Sequence, residues 1–166
     1  IDENVSSEPD FKNLFWGDTH EQVIEAEGAD CEETGRNLIY SRHLMGYQSF
    51  LTYNFDDSDK LWQAQYQFTD PDFTAEEFLA QYERIRDAVS DTCGKPVKDG
   101  HYVIHNYDKE SISDITAFSN GYSMYYAAWT NSTTNIDITM HSNNNQIFIY
   151  LGYSDKKRPF NYANGF

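Results

Sequence analysis

"LTYNFDDSDKLWQAQYQF", residues Leu51–Phe68, holds two runs rich in aromatic residues on either side of a short acidic turn. In the second run Trp62, Ala64, Tyr66 and Phe68 alternate with Gln63, Gln65 and Gln67. A period of two is that of a strand with one buried and one wet face. The turn "DDSD" is short and rich in Asp, which suits a hairpin. The stretch therefore predicts two antiparallel neighbours, and the fold class grows from it.

Upstream, "NLIYSRHL" ends at Met45-Gly46 and "YQSFLTYNF" follows, giving three strand-like runs in a row. Before them lies "GDTHEQVIEAEG", Gly17–Gly28. Thr19 with Gln22, or Asp18 with Glu21, fits a capping box, and Gly28 fits a helix end. A longer helix follows Pro71. Thr74 and Glu77 form its capping box, and Phe78, Leu79, Tyr82, Ile85, Val89 and Cys93 recur at helical spacing. Gly94 and Pro96 stop it. Strands resume with "HYVIHNY", "YSMYYAAWT", "TNIDITMH" and "QIFIYLGYS", the last two joined by "SNNN".

The order is helix, three strands, helix, three or four strands. The cap residues Thr19 and Thr74 lie 55 positions apart. Short links imply antiparallel pairing, with both helices on one face. The fold class is α+β: an antiparallel sheet with helices on one face, in two tandem helix-plus-strands units. Residues 1–166 read as a single domain, with a polar leader over 1–14, unit one over 15–70, unit two over 71–155 and a tail over 156–166.

Composition bounds the function. The chain has 166 residues, 13 Tyr and 11 Phe among them, enough for a substantial core. Its 12 Lys+Arg against 27 Asp+Glu give a net charge of −15. That field repels phosphate backbones and anionic membrane surfaces, so nucleic acid is not expected as a partner. No run approaches the ~20 apolar residues of a membrane-spanning helix. The start at Ile1 and the polar "IDENVSSEPD" fit removal of a signal peptide or lipoprotein leader. The expectation is an extracytoplasmic protein, secreted or lipid-anchored. Cys31 and Cys93 each follow a predicted helix and are candidates for a disulfide in an oxidising compartment, or for two separate thiols.

"GDTHEQVIEAEG" is similar to the G-x-T-x-x-x-V helix start of the small outer-membrane assembly lipoproteins, with Gly17, Thr19 and Val23 at the motif positions. The element order over residues 15–155 resembles that family and the β-lactamase inhibitory protein fold. "LTYNFDDSDKLWQAQYQF" and the helix end "YERIRDAVSDTCGKP" resemble segments of uncharacterised secreted proteins of Gram-positive gut bacteria. The resemblance implies export and binding rather than catalysis. It carries over no binding residue.

Chemistry is sparse. His101 and His105 are four apart, but "HYVIH" favours a strand, which would hold them about 13 Å apart. His20, His43 and His141 fall on other elements. Asp56, Asp57 and Asp59 offer oxygen ligands without the glycine and distal glutamate of an EF-hand loop. Cys93 sits at a helix C-terminus, where the dipole opposes a thiolate. Ser41 near His43 is no triad spacing, and Glu76 with Glu77 do not share a helix face. No phosphate loop is present. No cofactor, no metal and no catalytic residue is therefore expected.

What remains is the second face of the sheet. Phe50, Thr52, Gln63, Gln65, Asp137, Thr139, Phe148 and Tyr150 are out of phase with the core set. Aromatics among amides suit recognition of another protein or a cell-envelope component. The alternative is a small-ligand carrier or enzyme with an aromatic-lined pocket.

Overall fold

The computed structural model describes residues 8–158. Among them the chain forms α1 (His20–Glu27), β1 (Glu32–Thr34), β2 (Asn37–Leu44), β3 (Tyr47–Phe55), β4 (Leu61–Phe68), α2 (Ala75–Cys93), β5 (Lys98–Val103), α3 (Asp114–Ser119), β6 (Ser123–Thr130), β7 (Thr134–Asn143) and β8 (Gln146–Asp155). All eight strands lie in one antiparallel sheet of order β1-β2-β3-β4-β8-β7-β6-β5. The class is α+β. The first half is a helix followed by four strands, the second a helix followed by four strands with α3 inserted between β5 and β6, and β4 and β8 pair at the centre.

Local chemistry sets these elements. Thr19 and Thr74 each accept a backbone N–H from the third helical residue, while Gln22 and Glu77 reach back to the cap nitrogen. Both boxes satisfy donors that a helix start would otherwise leave unpaired. Asp18 is not the cap. Its carboxylate instead accepts from the Phe15 backbone. In the β3–β4 turn, Asp56 Oδ1 accepts from the amides of Ser58 and Lys60, at 2.8 and 3.0 Å. In the β7–β8 turn, Asn144 and Asn145 take φ of 50° and 62°, the conformation a tight two-residue hairpin requires and asparagine tolerates.

The core lies on one face. Across the sheet, Leu38, Tyr53, Ala64, Tyr153, Ile136 and Trp129 form one register row. Tyr40, Leu51, Tyr66, Leu151, Ile138 and Ala127 form the next. Phe78, Tyr82, Ile85 and Val89 of α2, Val23 of α1 and Phe118 of α3 join the same buried cluster. Burying an aromatic or aliphatic side chain of this kind contributes roughly 1.5–3 kcal/mol, so this layer dominates stability.

Several readings of the sequence need correction. Leu61, not Trp62, takes the buried end of β4, because a bulge shifts the register opposite Asn54 and Phe55. In the stretch read as a polar leader, Phe11 and Leu14 are buried. They form a small bridge that sets the Phe11 ring 4.9 to 6.1 Å from those of Tyr53, Tyr66 and Tyr153. Residues 1–7 lie outside the described part. Lys156 and Arg158, at the start of the tail, are tied to the Asn131 carbonyl and to Asp56, while 159–166 lie outside the described residues. Cys93 is exposed rather than part of the α2 core stripe. The short β1 and α3 are additional elements.

Candidate functional site

Among the described residues no helix lies over the opposite face of the sheet. Its central row reads Ser41, Phe50, Gln67, Tyr150, Thr139, Tyr126 and Gly100, one residue per strand from β2 to β5. A second row reads Ile39, Thr52, Gln65, Gly152, Asp137, Ala128 and Lys98. A third holds Asn54, Gln63, Ser154, Asn135 and Thr130, with Asn54 Nδ2 donating to Gln63 Oε1 at 2.8 Å. Phe50, Gln63, Gln65, Asp137, Phe148 and Tyr150 thus share one face, as do Thr52 and Thr139.

Among the described residues, the outward positions of β2, β3, β4, β6, β7 and β8 carry one carboxylate, Asp137, and no Lys or Arg. In a chain with 23% charged residues, that is a neutral face on an acidic protein.

Two features stand out on it. The rings of His141, Phe148 and Tyr150 lie with centroids 5.5 to 6.1 Å apart and planes within 10–30° of each other. Burial lowers the His141 pKa, because desolvation disfavours the charged ring, and among the described residues its buried Nδ1 has no hydrogen-bond partner. The other feature is Asp137. It sits in a cleft of about 350 Å³ lined also by Lys98, Tyr126, Ala128, Asn135 and Lys156. Its strand neighbours in the row are Ala128 and Gly152, so small residues flank the acid. Burial pushes its carboxyl up to about 6, because desolvation disfavours the charged form.

The remaining candidates are dispersed. His101 stacks on Tyr125 at 4.4 Å and places Nε2 2.6 Å from Ser123 Oγ. His105 lies near Tyr122, and His20 packs on Phe55. Asp57 pairs with Arg36, and Asp56 with Arg158, so two of the turn's three carboxylates are engaged by arginines. Among the described residues no group of three His, Cys, Asp or Glu side chains is placed to hold a metal. Cys31 is half-buried and Cys93 exposed, both as free thiols. No described helix is long and apolar enough to cross a membrane.

Sequence reading missed Tyr126 and His141 as members of the open face. The signal for Tyr126 was available, since Ser123, Tyr125, Ala127 and Trp129 alternate with it.

Compared with protein-family models, with curated proteins and with solved structures, the chain finds no match.

Proposed function

We propose that the chain is a non-catalytic binding module, exported as a secreted or lipid-anchored protein, whose open sheet face holds a component of the cell envelope. One observation carries this reading. Among the described residues the three helices pack on the core face, while the opposite face carries few charges and gathers Phe50, Phe148 and Tyr150 among amides. Aromatic side chains give contact area at low entropic cost, and charged groups are depleted at interface centres. The resemblance to the assembly lipoproteins and the β-lactamase inhibitory protein fold belongs to this reading, as does that of one unit used twice. The matching capping boxes at Thr19 and Thr74 and the central pairing of β4 with β8 support the second.

The test is capture from native envelope extract by the intact chain and by Phe148→Ala/Tyr150→Ala. The reading expects retained components to be lost with the substitutions. Equal capture by both proteins removes this face from consideration.

A second reading, a small-ligand carrier or enzyme, is favoured by the Asp137 cleft. It expects saturable binding of a small molecule that Asp137→Asn alone abolishes.

A further inference from the structure

The charge pattern and register of the open face specify its ligand more closely. Resting on the binding-face reading above, we propose that this face holds one extended, uncharged polysaccharide chain, lying across the strands along the row Phe50, Gln67, Tyr150, Thr139 and Tyr126.

The spacing of the row fits such a chain. Neighbouring strands lie about 4.8 Å apart, so a ligand crossing them meets one side chain of this row per strand. The row alternates aromatic, amide, aromatic, hydroxyl, aromatic. Its aromatic positions therefore recur every second strand, roughly 9.6 Å apart. That is close to the length of a disaccharide unit in an extended glycan chain. A sugar ring offers C–H groups on its faces and hydroxyls around its rim. Aromatic rings pack against the former, while amide and hydroxyl side chains both donate to and accept from the latter.

A parallel row adds polar groups beside it. Gln65 and Asp137 flank Gly152, which has no side chain, and Ala128 lies beyond Asp137. Along this row the Asp137 carboxylate leans over Gly152 toward the Gln65 side, which sets an amide and a carboxylate near one another. Both groups can bind vicinal hydroxyls. Phe50 is 44% exposed, so the aromatic row begins at an accessible ring.

Charge narrows the ligand further. Among the described residues the row itself carries no charged side chain, the nearest charges being Asp137, Lys98 and Lys156 at the neighbouring cleft, and a net charge of −15 repels polyanions. The complement of a neutral amide face is a neutral hydroxylated chain. Sheet twist adds a distinction: successive strands rotate by about 20–25°, so aromatic positions two strands apart do not share a plane. The surface therefore suits a single twisted chain in solution, not the flat face of a crystalline fibre.

The test is affinity electrophoresis of the intact chain in native gels, each containing one soluble polysaccharide. The probes are hydroxyethylcellulose, xylan, galactomannan and, as the anionic control, polygalacturonate. The expected result is retardation by at least one neutral probe and none by polygalacturonate. Phe50→Ala/Tyr150→Ala should weaken it at least tenfold, and Tyr122→Ala, an exposed ring off the row, should leave it unchanged. If the double variant loses its native near-ultraviolet dichroism, Gln67→Ala and Thr139→Ala carry the test with the same expected direction. Retardation by no neutral probe, or retardation indifferent to the row, overturns the proposal. If that happens while envelope capture still depends on Phe148 and Tyr150, only the glycan assignment falls. If neither depends on the face, the binding-face reading falls with it.

Discussion

Asp137 leans into the space that Gly152 leaves empty on the neighbouring strand. A Cβ at position 152 would lie 3.2 Å from Asp137 Oδ1, tighter than ordinary van der Waals contact. Gly152→Ala should therefore displace the Asp137 carboxylate and cost about 1 kcal/mol, the low end for overpacking. Urea unfolding at neutral pH measures it. In a double-mutant cycle with Asp137→Ala the two effects should fall short of adding, because the second change removes the atom the first collides with.

The Asp137 carboxyl also predicts a pH dependence. Its pKa rises from 3.8 to about 6 on folding. Between those values the folded state binds more protons than the unfolded state, so stability falls as pH rises through that window. At roughly 1.4 kcal/mol per unit the charged group costs up to about 3 kcal/mol above pH 6. Asp137→Asn should thus raise Tm at pH 7.5 and give much less gain at pH 4. Lys98 and Lys156 line the same cleft. Thermal unfolding of both proteins across pH 4–8 checks it, and a gain independent of pH would contradict it.

Glu27 joins α1 to the sheet. Its side chain is 7% exposed, accepts from the Tyr53 hydroxyl at 2.9 Å and pairs with Lys12 at 2.6 Å and Arg42 at 3.8 Å. Glu27→Ala leaves a buried hydroxyl and a half-buried guanidinium without this carboxylate, and should cost about 2 kcal/mol. Tyr53→Phe removes one bond while Lys12 and Arg42 remain on Glu27, so about 1 kcal/mol is expected. Chemical denaturation ranks the two.

Thr74→Ala removes the hydroxyl that accepts from the Glu77 amide at the start of α2. A lost cap of this kind costs about 1 kcal/mol. Thr74→Asp should restore most of it, and equal instability in both variants would count against the capping account.

The sequence made the hairpin of β3 and β4 and both capping boxes legible because each signal is local. The aromatic–glutamine alternation in Leu61–Phe68 and the Thr-x-x-Gln/Glu spacings need no knowledge of the rest of the chain. The phase of the outward set was legible too, since Phe50, Gln65, Asp137 and Tyr150 alternate with strongly apolar neighbours. What stayed hidden depends on distant contacts. Trp62 breaks the alternation through a bulge set by its pairing with β3. Phe11 and Leu14 stand in a polar stretch and are apolar plugs only because Tyr53, Tyr66 and Tyr153 converge above them. The burial that raises the Asp137 pKa exists only in the folded sheet, where pairing brings Gly152 and Ala128 beside it.

The central claim is that the open sheet face is where the chain binds. Its most direct test is to titrate isotope-labelled chain with the envelope component or neutral polysaccharide it retains, following amide shifts by NMR. The account predicts changes centred on Phe50, Gln67, Tyr150, Thr139 and Tyr126, with the amides of α2 unmoved. Changes centred on the helices or the strand-connecting loops, with that row silent, would contradict it.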